Sequence, residues 1–441
     1  MSSSNDRVSV WSIAGPSILV FLLSTLAGVA IIKIVAGLGT SAVVATTAGQ
    51  RVHFIQLALL MGMGAATTAL ISRAWGGNNL SLAVDTMKLS IKFGLGICLL
   101  VTALAMIGAG PIASFFQLTG ESRELAISYI RWMFLFAPFQ GLVMMMSTAS
   151  RAAGDAKAPL YIGIVSNVIS VIGAYMLAYG VAGLPAMGVQ GAAIGWGVAY
   201  LISAIVYFSR WYLGHLKLPF KVDEGGEKAK TKQFINISMP ATVEQLIMQG
   251  AMLVFIGFVA QYGAEAFAAY GVGINIMSVA AVIGLGFSIA ASANVGMSLG
   301  AGKPEQALEA SMEALKLAVT IMALVGLGFG VFAEDISEFM VDDSRVVEIS
   351  TLFLRILAFL LPILGIDFVL SGAMRGAGDT RYPLIAGIMT SLGVRLPLAA
   401  LCIWLDLPVW CIFSVFLFDQ LMKCLLLTRR YRQKRWLTVF S

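Results

Sequence analysis

Two segments of this chain, at 151–160 and 375–384, carry the same unusual motif. Arg151-Ala-Ala-Gly-Asp-Ala-Lys-Ala-Pro-Leu160 lies over Arg375-Gly-Ala-Gly-Asp-Thr-Arg-Tyr-Pro-Leu384. The same step, without a gap, pairs Pro16 with Pro240, Gly39 with Gly263, Gly49 with Gly273, Gly76 with Gly300, Arg131 with Arg355 and Pro138 with Pro362. A chain with this regularity is two copies of one structural unit, and whatever fold one copy takes the other takes too.

The nature of that unit follows from hydropathy. With 59% hydrophobic and 12% charged residues and a mean hydropathy of +0.89, the chain has about half the charge of a water-soluble domain. Apolar runs of bilayer length, roughly 20 residues each, recur near 10–36, 52–74, 89–114, 126–148, 158–180, 187–212, 234–258, 268–299, 311–333, 349–373, 382–405 and 409–428. They are too long for barrel strands and lack alternation, so their backbone polar groups must be satisfied inside helices. The expected fold is an all-α polytopic membrane protein with twelve transmembrane helices in two pseudo-symmetric six-helix bundles. The expected divisions are residues 1–213, a polar linker at 214–233, and residues 234–441 with a basic tail. Six spans per copy make the repeats parallel, with a cleft expected between them. The first span is too long for a signal sequence and is expected to be retained.

Net charge +6 does not imply nucleic acid, because the bases collect where a membrane protein puts them. Loops after even-numbered spans hold Arg73, Lys88, Arg151, Lys157, Lys217, Lys221, Lys228, Lys303, Arg375 and Arg381, and the tail adds Arg429, Arg430, Arg432, Lys434 and Arg435. The opposite loops, such as that at Glu334, Asp335 and Glu338, are acidic or uncharged. Both termini are expected in the cytoplasm, in a multi-pass protein of the inner, cytoplasmic membrane. Cys98, Cys402, Cys411 and Cys424 show no paired spacing and are expected to be free thiols. Gly62-Met63-Gly64 and Gly284-Leu285-Gly286 follow no strand and precede no Gly-Lys-Ser/Thr, so they read as helix packing rather than phosphate loops. No zinc cluster, nucleophile elbow or triad is apparent, and neither enzymatic activity nor a cofactor is expected.

Two acids stand well within apolar segments, Glu244 and Asp367, at a cost of about 2.5–3.5 kcal/mol each to insert. From their distance along the helix to the nearest cytoplasmic residues, both lie on the order of 12–17 Å deep. They are expected to face one another within the second bundle, where neighbouring carboxyls can hold a proton or a sodium ion. The alternative is a buried salt bridge, with Arg395 the possible partner of Asp367. Asp419 and Lys423, four residues apart near the cytoplasmic end, read as a surface helix pair. The counterparts of Glu244 and Asp367 in the first copy are Val20 and Val143, so the acids are not scaffold. The first copy has Lys33, Arg51 and His53 instead, towards the outer end, where they read as structural. Gln245, Met248, Gln249 and Asn275 accompany Glu244 as candidate lining of a substrate cleft. Pro16, Pro138, Pro240 and Pro362 are candidate kink and gating points.

Over essentially its whole length the chain resembles the multidrug and toxic compound extrusion (MATE) family of secondary transporters. The resemblance rests on the doubled Arg-x-x-Gly-Asp-x-x-x-Pro segments and on Gly37-Leu38-Gly39-Thr40-Ser41-Ala42 and Tyr262-Gly263-Ala264-Glu265-Ala266. Gly188-Val189-Gln190-Gly191, Pro240 with Glu244, and Leu299-Gly300-Ala301-Gly302 add to it. It implies a V-shaped pair of bundles exporting amphipathic, often cationic, organic compounds in exchange for inward H⁺ or Na⁺, with Glu244 and Asp367 at the family's acidic positions in spans 7 and 10. The aspartate that many bacterial members carry in span 1 falls at about Ile31 here, beside Lys33. The tyrosine that some sodium-using members place four residues before the span-10 aspartate is Ile363. Partners are then small organic substrates and the bilayer, with a monomer expected. The competing reading is a flippase for an anionic lipid-linked substrate, motivated by Lys33, Arg51 and Arg395; a non-transporting receptor is less in keeping with duplicated bundles.

Overall fold

The computed structural model describes residues 8–220 and 228–439. Lys221 and the acidic stretch of the linker, Asp223 to Glu227, therefore lie outside the described residues. The helices are α1 (Val10–Ala36), α2 (Thr40–Gly76), α3 (Leu80–Phe115), α4 (Gly120–Leu135), α5 (Ala137–Ala152), α6 (Lys157–Tyr179) and α7 (Gly188–Tyr212). They continue as α8 (Thr231–Ala260), α9 (Ala264–Gly300), α10 (Pro304–Val331), α11 (Ala333–Met340), α12 (Ser344–Gly376), α13 (Arg381–Thr390), α14 (Leu396–Trp404) and α15 (Val409–Arg432). A π-helical turn at Ser391–Arg395 joins α13 to α14, just ahead of Pro397, which has no N–H to donate. Among the described residues the fold is all-α.

Among the described residues eleven helical segments are long and apolar enough to cross a bilayer, and α4 with α5, bent by 44°, makes a twelfth if the pair is one span. This is a multi-pass membrane protein. The helices overrun the apolar windows: α2 begins at Thr40 rather than near 52, and α3 at Leu80 rather than near 89. The apolar stretch marks only the part of a helix inside hydrocarbon, while the helix itself continues to a glycine or polar cap. Leu26, Leu104, Leu324 and Leu327 are exposed on outward faces, as expected where the surrounding solvent is lipid.

Two compact units emerge, one holding Leu19–Phe234 and the other the chain up to Ile18 together with everything from Ile235 on. Below they are the first and second bundle. The opening turns of α1 thus belong with the second: the ring of Trp11 lies 6.0 Å from that of Phe287, and Gly286 leaves room for Ile18. The repeat governs both bundles in detail. α2 and α9 keep the step of the motif at each end (40 to 264, 76 to 300), as do the start of α4 and end of α5 against α12 (120 to 344, 152 to 376).

The doubled motif is a joint between helices. Gly154 (φ +74°) and Gly378 (φ +85°) take the left-handed conformation that ends α5 and α12. Their amides donate to Arg151 O and Arg375 O at 2.9 Å in both copies. The aspartate then caps the following helix: Asp155 Oδ1 accepts from the amides of Lys157 (3.1 Å) and Ala158 (3.2 Å), and Asp379 Oδ1 from that of Tyr382 (3.3 Å).

The paired prolines behave differently. Pro138 sits in the first turn of α5, just past the bend, whereas Pro16, Pro240 and Pro362 lie inside the continuous helices α1, α8 and α12. A proline frees the carbonyl four residues earlier. In the first bundle that carbonyl, Phe134 O, accepts the hydroxyl of Thr102 at 2.7 Å. At the equivalent place in the second, Gly326 packs so closely on Ala358 O that a Cβ would stand 2.5 Å from it. One copy satisfies the freed group with a side chain and bends; the other packs backbone on backbone.

After α6 the step shortens by one helical turn, so that Tyr212 corresponds to Arg432 at the ends of α7 and α15. Each final helix then turns back, at Gly214 (φ +74°) and Lys434 (φ +56°). Each inserts an apolar plug beneath the motif joint. Leu216 and Leu218 join Ala152, Ala153 and Trp211, while Trp436, fully buried, joins Ala373, Ala377 and Tyr431.

Candidate functional site

Six charged side chains of the second bundle, drawn from α8, α12, the π turn and α15, form three ion pairs. Glu244 and Asp367 are both buried, at 1% and 5% exposure. Each has a cationic partner: Arg375 Nη2 donates to Glu244 Oε1 at 2.8 Å, and Lys423 Nζ to Asp367 Oδ2 at 3.0 Å. Ser371 Oγ, one turn beyond Asp367, donates to its Oδ1 at 2.9 Å. The two pairs feel one another, Lys423 interacting with Glu244 and Arg375 with Asp367.

The third pair corrects two expectations. Arg395 is not the partner of Asp367; its Nε and Nη2 both donate to Asp419 Oδ2, the former at 2.8 Å, and its guanidinium lies 4.4 Å from the ring centre of Phe416. Nor do Asp419 and Lys423 form a surface pair. Both are buried, at 1% and 4% exposure, and each reaches a different helix. Their i, i+4 spacing puts both on the inward face of α15, where Arg395 and Asp367 already call for opposite charges.

Arg375 reads as a loop base in the sequence, yet it occupies the last turn of α12. Helical side chains tilt toward the helix N-terminus, so from that end Arg375 reaches back into the bundle. Its side chain is 18% exposed. A sequence signal existed: a basic residue one turn inside a helix-ending glycine, on the same helix as a buried acid.

The two acids are not equally satisfied. Both oxygens of Asp367 are bonded, whereas Glu244 Oε2 is buried with no hydrogen-bond partner among the described residues. A Cβ at Gly387 would lie 3.7 Å from Glu244 Cγ, so α13 supplies no side chain there. Thr390 Oγ1, one turn further along α13, is likewise buried and unbonded. Of the candidate cleft residues, Gln249 and Asn275 are exposed, Gln245 and Met248 half-buried. Asn275 Nδ2 donates to Gly271 O at 3.0 Å, and among the described residues none of the four bonds to Glu244.

The first bundle has a neutral polar cluster instead. His53 Nε2 lies against the Gln140 side-chain amide (2.9 and 3.1 Å), and Gln56 Nε2 donates to Gln140 Oε1 at 3.1 Å. The ring of Trp196 meets His53 edge-on at 5.3 Å. His53 is thus part of an interior network, joined to two glutamines that sequence reasoning did not single out. The repeat shows the contrast: the counterparts of His53, Gln56 and Gln140 are Met277, Ala280 and Leu364, and that of Arg395 is Val171.

The MatE family model matches residues 16–176 and again 240–401, its two matches starting at the paired prolines Pro16 and Pro240 and together spanning most of the chain. The chain belongs to the MatE family. MatE proteins are transporters, not enzymes. Among curated relatives, a probable multidrug resistance protein NorM of Thermotoga maritima is 26% identical, over 79% of this chain and 75% of its own. The probable multidrug resistance protein YoeA of Bacillus subtilis is 27% identical (82% and 79%), and a FAD transporter of Shewanella oneidensis 24% identical (84% and 82%). Solved structures agree on the fold. An outward-facing multidrug resistance MATE transporter superposes with a TM-score of 0.90 at 19% identity, covering 98% of this chain and 96% of that one. A superfamily transporter from Pyrococcus furiosus gives 0.89 at 18% identity, covering 98% of each. The all-α fold of two bundles expected from the sequence, and the MATE-type fold that the family resemblance implied, are therefore found.

Proposed function

We propose that this MatE transporter is a proton-coupled antiporter of the cytoplasmic membrane that exports amphipathic, often cationic, organic compounds. Its two bundles, divided near residues 214–233, alternate access with both termini in the cytoplasm, and the chain works as a monomer. The proton is taken by Glu244. The observation that carries this reading is the buried, unpartnered Oε2 of Glu244, the one carboxylate oxygen among Glu244 and Asp367 without a donor. A proton there turns the unsatisfied anionic acceptor into a neutral hydroxyl and removes the charge that holds Arg375.

The ion pairing of the group favours H⁺ over Na⁺. Glu244 and Asp367 are matched by Arg375 and Lys423, so the group is neutral when all four are ionised. A sodium ion would enter beside an ammonium and a guanidinium and make it net positive. Protonation of Glu244 also adds one charge but removes an ion pair between α8 and α12, freeing the two helices to move apart. Gln245, Met248, Gln249 and Asn275, on α8 and α9, are the proposed contacts for substrate. Adaptable Met and Gln side chains suit a broad range of compounds.

Counter-transport in proteoliposomes tests this, with pH and sodium gradients imposed separately over a panel of cationic dyes. The pH gradient should drive uptake, and Glu244→Gln should abolish it while dye binding persists. Wild-type rates in that variant, or drive by sodium alone, would refute the scheme. Movement of an anionic lipid-linked reporter in place of the dyes would favour the flippase.

A further inference from the structure

We propose that the first bundle holds a binding site for one small monovalent anion, of chloride or carboxylate size, centred on Arg151. Arg151 and Arg375 are equivalent residues, closing the same helix joint in the two copies. In the second bundle the guanidinium meets Glu244, which packs on Gly387. In the first, Val20 takes the place of that glutamate. It does so in space as well as in sequence: a Cβ at Gly163, the counterpart of Gly387, would lie 3.0 Å from Val20 Cγ1, and the next residue, Phe21, has its ring 5.9 Å from Arg151 Cζ. The carboxylate is gone and the arginine remains.

Arg151 is 7% exposed and forms no ion pair among the described residues. Its partners are neutral: Ser147 Oγ at 2.7 Å and Thr148 Oγ1 at 3.4 Å. Its Nε has no hydrogen bond at all. Asp155, the acid of the same joint, spends Oδ1 on the amides of Lys157 and Ala158. The Tyr207 hydroxyl, 1% exposed as a residue, lies beside Ser147 and within electrostatic reach of Arg151, Arg210 and the Asp155 carboxylate, and lacks a hydrogen bond of good geometry. Arg210 Nε is buried and unbonded too. A buried guanidinium without an ion-pair partner is strongly unfavourable, and each surrounding group that lacks a partner, Arg151 Nε, Arg210 Nε and the Tyr207 hydroxyl, can donate a hydrogen bond. Those are the requirements of an anion site. Its capacity follows from what is missing: one carboxylate, hence one charge and a ligand of that size.

The test uses the purified full-length protein in detergent, with chloride replaced by gluconate at constant sodium and pH. Equilibrium binding of radiolabelled chloride should saturate near one per chain, with acetate competing if the site takes carboxylates and only halides competing if it does not. Val20→Glu should place a carboxylate on Arg151 and weaken chloride binding by at least about tenfold, while its melting temperature in gluconate equals or exceeds that of the wild type. Arg151→Gln should lose chloride binding as well. Wild-type protein that binds neither chloride nor acetate saturably, or a folded Val20→Glu variant that binds chloride as the wild type does, would overturn the proposal.

Discussion

The two bundles share a backbone plan and the same pair of motif arginines, but they surround those arginines differently. In the second, Arg375 is locked to Glu244, and Asp367, Lys423, Arg395 and Asp419 complete a balanced set of buried charges. In the first, Arg151 meets hydroxyls and an aromatic ring but no acid among the described residues, and the interior is hydrogen-bonded through His53, Gln56 and Gln140. Duplication supplied one scaffold twice, and the buried charges are what most distinguish its halves. A buried ion pair is a poor source of stability but a good switch, since removing one partner leaves the other stranded.

Shifting charges between the halves breaks the comparison most severely. Glu244→Val copies the first bundle's arrangement into the second and should lower pH-driven dye transport by about two orders of magnitude or more, equivalent to at least ~2.7 kcal/mol. Adding Val20→Glu should not restore it, because Val143 and Val171 stand where Asp367 and Arg395 do in the second bundle. Proteoliposome rates decide both. Next comes Arg375→Met, which strands Glu244 and should destabilise the protein by about 3–5 kcal/mol in denaturant titrations. The matching Arg151→Met, measured in gluconate, should cost under about 1 kcal/mol or stabilise, because it removes a charge that nothing balances.

Two further substitutions ask how far the halves share their architecture. Trp436→Ala should cost about 3–5 kcal/mol and Leu216→Ala about 2–5 kcal/mol, both read as losses of thermal stability in detergent. A clear loss at only one site would mean that the plugs are not equivalent. A modest effect is expected of Thr102→Val, which removes the donor on Phe134 O and should cost about 1 kcal/mol. Gly326 at the equivalent place has no hydroxyl to lose.

The repeat and the apolar runs made the architecture legible, because both depend on spacing that any bilayer helix must obey. Glu244 and Asp367 were legible for the same reason: an acid in an apolar run stands out. Their partners were not. Arg375 hid in a motif that looked like a loop, since hydropathy marks the hydrocarbon limit and not the last helical turn. Lys423 and Asp419 satisfied a simple i, i+4 reading, and nothing local revealed that α15 turns both inward to other helices. The polar cluster of the first bundle was harder still, for a glutamine such as Gln140 carries no charge and its role depends on which helix faces it.

The fourth span of each copy has its proline at the same position, yet only one copy is jointed. In the first bundle a bend of 44° divides the span into two short rods. Motion at one end can be taken up at Phe136 without reaching the other. In the second, α12 runs unbroken for 33 residues, about 50 Å. In the proposed scheme it would act as a lever whose short arm carries Asp367 and Arg375, so that protonating Glu244 would displace the far end by more than the site itself.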